Sequence, residues 1–167
     1  MITIISRGRP RVRFALLSLL VASSLAVANA AEHDSVAVQL NARKVVLAEN
    51  KETFEPAAQA RPNDTIQYDA VYRNTTSGGI KGLAATVPVP AGLAFLADSA
   101  KPVGALASVD GKTFSTIPLM REVKREDGTI EKQAVPFSEY RAVRWSIAQL
   151  DAGKSATVSL RARVLAK

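Results

Sequence analysis

Two stretches of strict apolar–polar alternation constrain this chain more than any other feature. In Thr65–Asn74, Ile66, Tyr68, Ala70 and Tyr72 share one side, and Thr65, Gln67, Asp69 and Arg73 the other, with Val71 as the exception. In Ser155–Val164, Ala156, Val158, Leu160, Ala162 and Val164 alternate with Ser155, Thr157, Ser159, Arg161 and Arg163. Successive side chains of a strand point to opposite faces, so a period of two predicts a strand buried on one face. The arginines then fall on the solvent side. Val36, Val38 and Leu40 begin a third such run, followed by Val45-Val46-Leu47.

Turn residues separate these runs. Pro62-Asn63 combines a fixed φ with a residue that tolerates positive φ, as a type II turn requires. Ala91-Gly92 and Ala152-Gly153 place glycine where the same turn needs it, and Asp110-Gly111 and Asp127-Gly128 are hairpin pairs. Ala57–Ala60 is too short to stand as a helix, and Pro88 and Pro90 break Leu83–Leu96. The reading gives strands near 36–48, 51–55, 65–74, 80–88, 93–97, 103–109, 113–121, 129–135, 141–148 and 155–164. Short alternating strands with turns at this spacing predict an all-β fold, a sandwich or barrel. Residues 121–132 are predicted to form a charged hairpin around Asp127-Gly128 that projects from it.

The first thirty residues read as a leader rather than as part of the fold. Arg7, Arg9, Arg11 and Arg13 precede the apolar run Phe14–Val27, and Ala28-Asn29-Ala30 follows. A basic start, a short apolar middle and an A-x-A end predict a secretory signal peptide, residues 1–30, cut after Ala30. Residues 31–167 then form a single domain, periplasmic or secreted, with no stable membrane anchor. Four arginines leave with the leader, which lowers the net charge from +7 to +3. The remaining charges are mixed in sign, as in Arg121–Asp127, so a clustered basic face for nucleic acid is not expected. The chain has no cysteine, which excludes disulfides, thiolate metal sites and cysteine nucleophiles.

Residues 60–76 (ARPNDTIQYDAVYRNTT), 85–96 (ATVPVPAGLAFL) and 139–164 (EYRAVRWSIAQLDAGKSATVSLRARV) resemble a bacterial conserved-repeat domain of secreted and surface proteins. The shared elements are Asp64, Tyr68, Asn74, Pro90, Gly92 and Gly153. The resemblance implies an immunoglobulin-like Greek-key β-sandwich of unknown function and supplies no catalytic residue. Asn63 stands where that family usually has glycine. The family often occurs in tandem, whereas this chain has one copy and is similar to its short exported members.

The remaining motifs are weighed on their chemistry. Gly153-Lys154-Ser155 ends like a phosphate loop, but Ala148 occupies the position of the required first glycine and a strand follows, so a turn is expected. Trp145, in register with Val143 and Ile147, reads as a core residue. His33 is the lone histidine, near a terminus, and a Ser-His-Asp constellation cannot be built in the core. Glu126-Asp127 and Glu49/Glu52 are acids close in sequence, placed in turns beside basic residues. Asn74-Thr75-Thr76 reads as a turn whose Asn74 side chain bonds the backbone. The expectation is therefore not an enzyme and no cofactor or metal, but an exported module that binds an unidentified envelope protein. Its candidate contacts are Arg121, Lys124, Arg125, Glu126, Arg141 and Arg144. The alternative is a glycan- or polymer-binding module using Tyr72 and Tyr140 with nearby arginines.

Overall fold

The computed structural model describes residues 35–166, so the leader and His33 lie outside the described residues. The fold is all-β, with no α-helix among the described residues and several antiparallel sheets, an arrangement consistent with a β-sandwich. The strands are β1 (Val36–Ala48), β2 (Lys51–Pro56), β3 (Thr65–Asn74), β4 (Ile80–Pro88), β5 (Leu93–Phe95), β6 (Leu106–Ser108), β7 (Ser115–Thr116), β8 (Met120–Lys124), β9 (Ile130–Ala134), β10 (Ala142–Leu150) and β11 (Ser155–Val164). One sheet has the order β2-β1-β3-β11-β5, a second β4-β10-β6-β7, and β8 and β9 pair only with each other.

The alternation read from the sequence decides what is buried. In β3, Ile66, Tyr68, Ala70 and Tyr72 enter the core, and in β11 Val158, Leu160 and Ala162 do. They pack with Leu93 and Phe95 of β5 and, from the second sheet, with Ala85 and Val87 of β4, Val143 and Trp145 of β10 and Ala107 of β6. The core thus lies between the two sheets, and each fully buried Val, Leu or Phe contributes about 1.5–3 kcal/mol. Trp145 is buried as expected, and its indole N–H donates to the Pro102 carbonyl at 2.7 Å. Phe95 stacks on Tyr140 with ring centroids 5.7 Å apart, and Phe137 meets both edge-on.

The turns form where glycine and asparagine were placed. Asn63 takes φ 72° and Gly153 φ 69°, a region closed to most side chains. The Lys154 amide donates to Asp151 at 3.0 Å, and the Lys154 carbonyl accepts from Asn74 at 2.9 Å. Gly153-Lys154-Ser155 is therefore a turn between β10 and β11. Two expected strands are shorter or broken. Residues 103–109 yield only Leu106–Ser108, and 113–121 splits into Ser115–Thr116 and the start of β8 at Met120. Pro118 interrupts the latter because it has no amide hydrogen to give to a ladder.

Candidate interaction surfaces

The β8–β9 hairpin carries four of the six residues expected to make contacts. Its strands pair in simple register, Met120 with Ala134 through Lys124 with Ile130, and all ten strand residues are exposed. The turn is built as Asp127-Gly128 dictates. Gly128, at φ 85°, donates to the Arg125 carbonyl, and the Arg125 amide donates to Thr129. The Asp127 carboxylate accepts from the Thr129 hydroxyl and amide, which holds its pKa below the ordinary carboxylate value. Met120, Val123 and Ile130 leave apolar surface in solvent, Ile130 at 68% exposure. At the hairpin base a cavity of about 240 Å³ is lined by Val109, Leu119, Met120 and Val135 with Arg121 and Glu139 at its rim.

The six expected contact residues have different surroundings. Arg121 pairs with Glu139 at 2.8 Å, and Arg125 pairs with Glu131 across the hairpin. Lys124 and Glu126 are exposed and enter no ion pair among the described residues. Arg141 donates to the carbonyls of Ser138 and Tyr140, so it braces its own turn. Arg144 lies over the Phe114 ring at 3.6 Å and donates to the Thr86 hydroxyl.

The aromatic platform expected for a glycan is not available. Tyr72 and Tyr140 are buried, because one donates its hydroxyl to the Thr86 carbonyl and the other accepts the Leu119 amide. The acids do not pair either. Glu52 binds Arg161 through both carboxylate oxygens at 2.7 and 2.8 Å, which lowers its pKa. Four surface cavities carry a single carboxylate each: Asp98 in two of them, Asp64 and Glu139 in the others. No cluster of three His, Cys, Asp or Glu that could hold a metal ion occurs among the described residues.

Arg161 was expected to face solvent. It instead belongs to a polar network on the outer face of the larger sheet, where it also donates to Gln67, and Gln67 and Arg43 both donate to Asp69. Glu52 lies on β2 and Arg161 on β11, with β1 and β3 between them. Three strand spacings span about 14 Å, and Glu52 stands opposite Leu47 whereas the row of Arg161 runs through Gln67 to Arg43, four residues away along β1, so a flat sheet would separate the two by more than their side chains and hydrogen bond can bridge. The β1–β2 hairpin must therefore curl over the outer face, an arrangement that alternation alone does not reveal.

A second surface lies along the opposite edge of the two sheets and escaped sequence reading. Val38 and Leu40 of β1 stand beside Tyr72 and Ala70 of β3, on the face that enters the core. Yet they are 57% and 44% exposed. Tyr72 reaches Thr86 of β4 at 2.7 Å, so the edge strand β4 stands over β3, and among the described residues Val38 and Leu40 are left uncovered. The β4 edge beside this gap is also open. Val89 donates to Arg141 at 2.8 Å, one step beyond the Pro88–Ala142 pair. Alternation of an antiparallel ladder then turns Val87 and Ala85 toward β10, and the N–H and C=O of Thr86 and Ala84 away from it. Tyr72 satisfies the Thr86 carbonyl; the Ala84 groups and the Thr86 amide have no partner among the described residues. β2 pairs only with residues 43–48 of β1, so among the described residues the β1 edge at residues 36–42 is open too.

The chain matches no family model, no curated protein and no solved structure.

Proposed function

We propose that this protein is an exported, non-enzymatic β-sandwich module that binds another protein of the bacterial cell envelope. The observation that carries the reading is the β8–β9 hairpin, wholly exposed, with Met120 at its base and Ile130 near its turn on one face and Val123 on the other, all among charged neighbours. Apolar side chains held out on a small charged platform resemble the mixture found at protein interfaces, where a few apolar anchors sit inside a polar rim. The leader motif of residues 1–30 supports the route out of the cytoplasm. The immunoglobulin-like Greek-key assignment, and with it membership of the conserved-repeat family, belongs to the same reading. The links β3 to β4, β4 to β5 and β10 to β11, each passing from one sheet to the other, support it. Burial of Tyr72 and Tyr140 removes the surface on which a glycan-binding alternative rested.

Photo-reactive residues placed at Val123 and Ile130 in the exported protein test the proposal. An envelope protein should be captured at both positions, and Lys124→Glu with Arg125→Glu should cut capture by at least about tenfold through charge reversal. Capture of no protein at either position sinks the reading.

A further inference from the structure

The gap between β1 and β4 deepens that reading and rests on it, since it specifies how a partner is held. Three features meet there. The Ala84 N–H and C=O and the Thr86 N–H point outward from an edge strand. Val38 and Leu40 lie exposed on the face that carries the core residues of β3 and β11. The larger sheet extends past β4 by the width of β1, because β4 stands over β3. A strand added beside Ala84 and Thr86 would complete the ladder of β4 and rest its inward side chains on Val38 and Leu40. Main-chain bonds would then give affinity and alternate side chains specificity.

The same geometry selects the occupant. Two copies cannot meet antiparallel through their β4 edges, because each β1 would enter the layer already held by the other copy's β3; in a parallel pairing the face lowered onto Val38 and Leu40 would be the outer face of β4, with Ala84, Thr86 and Pro88, which offers them no large apolar side chain. The chain's own residues before Val36 also fit poorly: with the leader cut after Ala30, Ala31–Ser35 remain, and three of the five are Glu32, His33 and Asp34. The slot is one strand wide. The single charge on β4 is Lys81, exposed and without an ion-pair partner among the described residues. We propose that the slot between β1 and β4 takes one extended segment of a different protein chain. Its apolar side chains, two residues apart, rest on Val38 and Leu40, and an acidic residue lies near Lys81.

The test uses a peptide of alternating valine and threonine with a terminal aspartate, roughly nine residues long to match a typical strand. A control has the same composition with its valines grouped. Hydrogen exchange of the full mature protein is followed residue by residue, with and without peptide. The alternating peptide should slow exchange at the Ala84 and Thr86 amides by at least about tenfold and leave the hairpin unchanged. Val38→Lys and Leu40→Lys, at exposed positions that tolerate charge, should each weaken binding by about tenfold or more. Ala84→Pro removes the outward N–H at an edge where proline is tolerated and should abolish the protection.

No slowing at Ala84 and Thr86, or equal binding of the grouped peptide, overturns the proposal. So does protection already present without peptide: if it grows with protein concentration a second copy fills the slot, and if it does not the chain fills the slot itself. This outcome is separate from the capture experiment at Val123 and Ile130. Capture there with no peptide protection removes the slot alone, whereas peptide protection with no capture removes the hairpin reading.

Discussion

Asn74 ties together pieces of backbone that no ladder joins. It is fully buried at the end of β3, and its amide donates to the carbonyls of Gly78 and Leu150 while its oxygen accepts from Thr76. Asn74→Ala should leave the Leu150 carbonyl without a donor, whereas the Gly78 carbonyl keeps the Thr76 hydroxyl. An unsatisfied buried group costs about 1–3 kcal/mol, so the melting temperature should drop by roughly 5 °C or more. A change below about 2 °C in a thermal melt would show that water replaces the amide. Asp110 acts by charge rather than burial. Its carboxylate accepts from the Lys112 and Thr113 amides and the Ser108 hydroxyl. The Lys112 amide is the largest cause of a pKa held far below the ordinary value of 3.8. A carboxyl lowered in the folded state gives stability that is present above its unfolded pKa and lost as pH falls toward the folded value. Denaturant midpoints should therefore decline below about pH 4, and less steeply in Asp110→Asn, which keeps an acceptor without a charge. Parallel pH profiles for the two proteins would contradict this. Of these residues, Asn74 was legible as a turn-former because its sequence places it between a strand and two threonines and two glycines. Its bond to Leu150, seventy-six positions away, was not, since nothing local specifies it.

The β8–β9 hairpin is the element whose loss should matter least to the fold. Its base is closed without it, because Val135 donates to Leu119 at 2.8 Å and Leu119 donates to the Tyr140 hydroxyl. Replacing residues 122–132 with Asn-Gly between Arg121 and Gln133, which form a hydrogen-bonded pair as Leu119 and Val135 do, supplies the turn that a two-residue hairpin prefers. The ion pair removed, Arg125 with Glu131, is exposed, and such pairs contribute about 0–1 kcal/mol. Stability by chemical denaturation should fall by about 1 kcal/mol or less; a loss of several would place the hairpin in the core's support. Its turn was legible because Asp127-Gly128 encodes it locally. The stretch 113–121 was not, because Pro118 and the side-chain bonds of Asp110 and Ser108 override a weak strand pattern.

At the scale of the whole molecule, the alternation of β3, β10 and β11 marked the core faces, and Trp145, Tyr68 and Leu160 lie where that pattern put them. Periodicity reports which way a side chain points, not whether another sheet reaches over it. Val38 and Leu40 alternate as faithfully as Val158 and Leu160, yet only the latter are covered. Strand neighbours were equally hidden, because β11 lies between β3 and β5 through contacts about half a chain length apart. That placement has a consequence in time. A chain made from its N-terminus has β3 with one bare edge until residues 155–164 have been synthesised, and β5 has no strand to join until then. Pairings of such sequence separation form late. The strand at residues 155–164 is the wedge that locks the larger sheet, so the polypeptide stays threadable until that strand has been made.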